Sequence, residues 1–267
     1  MFVIYAFLIG ASVGSFLNVA ADRIPNGGSL LRPRSFCDSC KRTLASIDMI
    51  PVLSYFWLRG RCRHCKARIP FRVVVVEVVT GALFLAVYLL HGMGIDFVVL
   101  CACFSLLVLI SLIDLEHGLI LDVMVFPAII LLLLVAPFWT EFDIPRTFLG
   151  EETLFASFAN SFLSGLGAFL VFLVIAMIFP AGMGGGDVKF APVLGLMLGF
   201  PGILFALWIS AVGGGLIAIG LILAGKKGRK ETIPFGPFMA LGSAADLMAG
   251  PHALIWYQDL AAAISGT

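Results

Sequence analysis

Apolar stretches of about the length that crosses a bilayer recur along nearly the whole chain. They lie at 2–21, 73–91, 97–113, 119–138, 157–180, 188–200, 203–224 and 233–250. A helix spans the hydrocarbon with about 20 apolar residues. Lipid cannot satisfy open backbone groups, and no barrel-type alternation is present, so the segments are read as helices. The segment 188–200 is short and Gly-rich, which sets the expectation at about eight spans. Only 12% of the 267 residues are charged, against about 25% in an ordinary soluble domain. That excludes a soluble globular enzyme, a disordered chain and a nucleic-acid binder. Met1-Phe2-Val3 carries no positive charge, so the first segment reads as a retained span, not a cleaved signal.

One stretch interrupts the pattern. Residues 22–72 hold 11 Lys and Arg against three Asp. Basic residues favour the cytoplasmic side. Placing 22–72 there and threading eight spans also puts Lys189, Lys226, Lys227, Arg229 and Lys230 on that side, 16 of the 17 basic residues. Arg146 alone faces outward, among Glu141, Asp143, Glu151 and Glu152, and both termini face outward. The expected fold is an all-α polytopic membrane protein with a small cytoplasmic domain between the first two helices. Its parts are a first span (1–21), the domain (22–72), a membrane body (73–250) and a tail (251–267). In the tail, Trp256 and Tyr257 suit the outer interface.

The 22–72 segment is too short to build a large core and needs a staple. Cys37-Asp38-Ser39-Cys40 and Cys62-Arg63-His64-Cys65 are two C-x2-C knuckles with 21 residues between them, the spacing of a four-thiolate zinc site. Zinc would supply folding energy as well. Paired disulfides are the alternative, disfavoured where thiols stay reduced. His64 is an alternative fourth ligand. Cys101 and Cys103, in the third span, read as small apolar residues.

Ionisable groups at membrane depth are costly and mark function. Asp114 closes the third span, Asp122 opens the fourth, Asp187 opens the sixth and Glu77 lies one turn into the second. The threading puts all four at the cytoplasmic side. Two carboxylates held close do not both ionise easily, so one keeps a proton while the other activates water against a peptide carbonyl. Asp114 and Asp187 are the expected pair. Four glycines in Gly182-Met183-Gly184-Gly185-Gly186 precede Asp187 and permit close approach of an extended substrate. Taken singly, Asp187 also reads as an N-cap and Asp114 as an interfacial residue. Asp122 reads as a helix cap or as an outer partner of the pair, and Glu116 and His117 as solvated loop residues.

These residues together resemble a known family. Gly184-Gly185-Gly186-Asp187 is similar to the Gly-x-Gly-Asp signature of membrane aspartyl peptidases. Gly14-Ser15-Phe16-Leu17-Asn18-Val19 with Arg23-Ile24-Pro25, the paired knuckles, Ile50-Pro51-Val52-Leu53-Ser54-Tyr55 leading into Arg59-Gly60-Arg61-Cys62, the block Ser111 to Asp122, and Ile233-Pro234-Phe235-Gly236-Pro237-Phe238 resemble bacterial type IV prepilin peptidases. The resemblance implies an inner-membrane enzyme that removes the basic leader of prepilins and type II secretion pseudopilins. It also implies methylation of the new N terminus with S-adenosylmethionine. By position it implies catalytic roles for Asp114 and Asp187, with Gly184, Gly186 and Lys189 supporting their loop. It ties Glu77, Gly60 and the 22–72 domain to methylation. Leu121-Asp122 departs from the family's usual Pro-Asp, and Val76 precedes Glu77 where the family often has Arg-Tyr-Pro. Pro234 to Pro237 reads either as a break before the last span or as a segment pairing with substrate. The competing readings are a peptidase without methyltransferase activity, a zinc-stapled scaffold of a pilus or secretion machine, and a proton-coupled carrier.

Overall fold

The structure, a computed structural model, describes residues 2–142, 144, 146, 148, 151–180, 183–225 and 234–249. The readings that fall on 251–267, Gly182, Ile233, Asp143 and the basic residues of 226–230 lie outside the described residues. Among the described residues the chain is helical, and β pairing is limited to three isolated bridges. Six helices among the described residues are long and apolar enough to cross a membrane: Phe2–Arg23, Phe71–His91, Ile95–His117, Asp122–Phe142, Leu154–Ile178 and Gly202–Leu223. They match six of the eight predicted spans. The chain is a multi-pass membrane protein. It divides into two units, Met1–Ile113 and Asp114–Thr267.

In the first unit α1 (Phe2–Arg23) packs along α3 (Phe71–His91). Small residues permit the approach, as in other lipid-embedded helix pairs. A Cβ at Gly10 would lie 2.7 Å from Thr80 O, and one at Gly14 would lie 2.9 Å from the Glu77 Cα. Between these helices the chain forms only a 3-10 turn (Ser46–Met49) and the five-residue α2 (Leu53–Trp57). Over residues 24–70 only Cys62 is buried, so this stretch has no hydrophobic core of its own. Most of α4 (Ile95–His117) completes the unit.

The second unit begins in the last turn of α4. There Gly118, at φ +64°, ends the helix as a left-handed C′ residue. Glu116 and His117 lie in that helical turn and not in a loop. Then come α5 (Asp122–Val135) with a 3-10 extension to Phe142, α6 (Leu154–Ile178), α7 (Gly185–Leu198), α8 (Gly202–Leu223) and α9 over 236–249. The predicted span 188–200 corresponds to α7. Its fourteen residues, at about 1.5 Å each, reach about 21 Å, short of the roughly 30 Å hydrocarbon layer. Its surroundings explain its apolarity. Phe190, Ala191, Val193, Leu194 and Met197 are fully buried, and α7 packs against α5 and α6. Gly195 faces Gly165 across the α6–α7 contact, where a Cβ would lie 2.5 Å from the Gly165 Cα. At its C-terminal end the buried Arg146 donates to Met197 O and to Ser161 Oγ (3.2 Å).

Candidate functional site

Asp114 occupies the last turn of α4 and is 6% exposed. Its Oδ2 accepts a hydrogen bond from the Gly236 backbone N–H at 3.0 Å. Gly236 and Pro237 begin α9, with proline near the first helical position, where its missing N–H costs nothing. The Asp114 carboxylate therefore sits at a helix N-terminus, whose dipole favours an anion. A Cβ on Gly236 would lie 2.6 Å from that oxygen.

Asp187 is the third residue of α7, whose N-cap is Gly184. This corrects the N-cap reading. The Asp187 carboxylate reaches back to the Gly184 N–H, and Asp114 lies within electrostatic range of it. The first is half of a capping box, the second an electrostatic coupling between carboxyl groups of two helices. Gly186 faces Ile120 so closely that a Cβ there would lie 2.9 Å from the Ile120 Cβ. Gly184 has more room, with 3.4 Å from an added Cβ to Asp187 Oδ2.

Asp122 is the first residue of α5 after the N-cap Leu121, and its side chain caps nothing. It pairs instead with Lys189 Nζ, at 2.7 and 3.0 Å. Lys189 lies on α7 and not in the loop before it. The half-exposed pair ties the start of α5 to the start of α7. Asp114, Asp122, Gly184, Gly186, Asp187 and Lys189 thus all belong to the second unit.

Glu77 and Gly60 lie in the first unit. Glu77 is 4% exposed and accepts from the Val52 N–H at 2.7 Å and from the Ser15 hydroxyl. Val52 has φ +64° and ψ −56°, and Leu53 N–H donates to Pro51 O at 2.6 Å. This is a γ-turn at positive φ, rare for any residue and strained for a β-branched one. Gly60, at φ +64°, packs its Cα against the Tyr55 ring, where a Cβ would lie 3.0 Å from the hydroxyl. Beside Ser15 is a cavity of about 310 Å³ between α1 and the residues that follow it.

The four knuckle cysteines converge. Their Sγ atoms all lie within 4.8 Å of one another, and Cys37 and Cys65 are 3.7 Å apart. Tetrahedral zinc with bonds of about 2.3 Å places its sulfurs about 3.8 Å apart, so the set fits a metal ion. The two knuckles share one backbone pattern. Cys37 N–H donates to Arg42 O and Lys41 N–H to Cys37 O; Cys62 N–H donates to Ala67 O and Lys66 N–H to Cys62 O. Backbone N–H groups of Cys65 and His64 lower the Cys62 thiol to about 6, favouring the thiolate that binds metals. His64 stands outside the cluster, with Nδ1 3.3 Å from Arg42.

Two family models match the chain. The bacterial peptidase A24 N-terminal domain covers residues 8–91, and the type IV leader peptidase family covers 101–219. A prepilin leader peptidase/N-methyltransferase of Bacillus subtilis is 32% identical over 96% of this chain and 97% of its own length. The chain belongs to the type IV leader peptidase family. Proteins of the same name from Aeromonas hydrophila (30% identical, 94% of this chain and 92% of the relative) and Burkholderia pseudomallei strain 1026b (31%, 92% and 85%) are similar as well. No solved structure matches the chain. The region matched by the N-terminal model holds the four knuckle cysteines, Gly60 and Glu77. The leader peptidase region holds Asp114, Asp122 and the Gly184–Lys189 stretch.

Sequence reasoning missed Gly236 as a donor to Asp114, and Ser15 and Val52 as the partners of Glu77. Gly-Pro at a helix start was the available signal for the first. None was available for the others, which depend on contacts distant in sequence.

Proposed function

We propose that the chain is a prepilin leader peptidase and N-methyltransferase in which Asp114 and Asp187 carry the peptide cleavage. The observation behind this is a pair of carboxylates, from α4 and α7, within electrostatic range of each other and each facing one backbone N–H, in a family named for leader cleavage. In the proposed reaction one carboxylate takes a proton from water while the other, protonated, donates to the scissile carbonyl oxygen. The tetrahedral intermediate then collapses as the leaving amine takes a proton. Gly236 and Gly184 keep one oxygen of each acid engaged and so fix which oxygens face the substrate. The Lys189–Asp122 pair holds the entrances of α7 and α5 together. A substrate cut just before its hydrophobic helix suits acids at the membrane boundary. The lysine and arginine bias favours the cytoplasmic side for that boundary, and the family resemblance favours the inner membrane.

Cys37, Cys40, Cys62 and Cys65 would hold a structural zinc that staples the coreless 24–70 stretch. S-adenosylmethionine, when bound, would supply an electrophilic methyl group to the new N-terminal amine. Glu77 and Gly60 belong to this second activity in our reading.

The test is intact mass spectrometry of a prepilin incubated with the purified protein, with and without S-adenosylmethionine, beside Asp187→Asn. Leader loss that requires Asp187, followed by the mass gain of a single CH₂ only with the donor, is expected. Unchanged cleavage by the variant would overturn the dyad. Cleavage without the mass gain would remove the methyltransferase half.

A further inference from the structure

The two proposed activities use different chemistry, and the region matched by the leader peptidase model already holds both aspartates. The cavity of the first unit is unused by that chemistry. It measures about 310 Å³ and is walled on one side by Ser12, Ser15, Phe16 and Val19 of α1. Its far wall includes Arg34, Met49 and Pro51. Small-molecule sites begin at about 300 Å³, so the space suits a nucleoside-sized ligand and excludes a folded peptide.

The chemistry of the wall is mixed in an informative way. The apolar surfaces of Phe16, Val19 and Met49 suit a flat base. The serine hydroxyls suit a sugar. Two guanidiniums line the space, and they differ. Arg23 spends its fork on the carbonyls of Ser29, Leu30 and Pro33, which frames the loop. Arg34 is exposed and makes no side-chain hydrogen bond or ion pair among the described residues. An uncommitted guanidinium at a cavity is a carboxylate receptor. Outside the lining lies the Glu77 carboxylate, which joins the two walls by accepting from the Ser15 hydroxyl and from the N–H of Val52, the neighbour of Pro51. A ligand that suits both groups carries an anion and a cation on one nucleoside frame.

We propose that this cavity binds S-adenosylmethionine, with Arg34 receiving its carboxylate and Glu77 acting as a positioning residue through Ser15 and Val52. The proposal rests on the methyltransferase half of the reading above. It also accounts for the strained Val52 turn: strain of this kind collects at ligand sites, and here one hydrogen bond to Glu77 holds it. A second, apolar depression along α1 is lined by Leu8, Ile9, Ser12, Val13 and Phe16. It shares Ser12 and Phe16 with the first, so an acceptor lying along this face of α1 would end beside the donor.

The experiment is isothermal titration of the full-length, metal-loaded protein in detergent with S-adenosylmethionine, S-adenosylhomocysteine and ATP. Each variant is checked by circular dichroism and metal content. Wild type is expected to bind the first two at one per chain and not ATP. Val19→Trp, which fills the space, is expected to weaken S-adenosylmethionine at least tenfold. Arg34→Ala is expected to weaken it several-fold, with Arg34→Lys restoring part. Because Arg34 is exposed, this variant keeps the test open if Val19→Trp does not fold. Arg68→Ala, an equal loss of charge away from the cavity, is expected to bind as wild type does. Glu77→Gln is expected to narrow the preference for S-adenosylmethionine over S-adenosylhomocysteine. If wild type binds and methylates while Val19→Trp and Arg34→Ala bind equally well, the cavity assignment falls and the methyltransferase reading stands. If wild type neither binds the donor nor methylates, both fall.

Discussion

At the scale of single residues, the proposed catalytic pair depends on glycines for different reasons. Gly236 is a matter of contact: its N–H reaches Asp114 across 122 residues of sequence, and a methyl there would occupy the space of the carboxylate oxygen. Gly236→Ala is expected to slow leader cleavage by about 10–100-fold, the cost of a displacement near 1 Å at a reacting group. Asp114→Asn and Asp187→Asn are expected to lower it about 10²–10⁴-fold with the helical circular dichroism unchanged. Single-turnover assays on a synthetic prepilin peptide measure all three. Gly186→Ala meets Ile120 and is expected to lower the thermal midpoint, whereas Gly184→Ala has room. If Gly184→Ala folds normally yet cleaves poorly, Gly184 serves the substrate and not the fold. The acids were legible in the sequence because charge inside an apolar segment is costly and conspicuous. Gly236 was not, because a backbone donor has no side chain to announce it.

The elements were legible in proportion to how local their causes are. Cysteine spacing alone located both knuckles, since a C-x2-C loop turns two sulfurs to one side whatever surrounds it. The six long spans followed from length and apolarity, and their ends came within a few residues. Hydropathy left α7 undecided because it measures apolar surface without saying whether lipid or protein covers it. The turn at Val52 was invisible, being an exception to local preference held in place by Glu77. Pairing of α1 with α3 yields a direct test. Gly14→Val forces a branched side chain against Glu77 and is expected to cost about 1–3 kcal/mol. Gly167→Ala on α6, where an added Cβ meets nothing within 4 Å, is expected to be neutral or mildly stabilising. Unfolding midpoints in mixed micelles compare the two.

For the whole molecule, charge is the organising quantity. The net charge is +1, but its distribution along the chain is far from even. Reporter fusions after residues 60 and 118 are expected to report the cytoplasm, and fusions after residue 148 the opposite side. The reverse result at residue 118 would separate Asp114 from the face that a prepilin leader occupies. The stretch over 24–70 has a thermodynamic consequence of its own. With Cys62 its only buried residue, the stretch builds no core, and under the proposed zinc staple its order depends on ligation by the four cysteines. Its folding is then a binding isotherm: each tenfold fall in free metal, above the dissociation constant, removes about 1.4 kcal/mol. Under that staple the region has one melting temperature for each metal activity, and a chelator titration is expected to trace its folding curve at constant temperature.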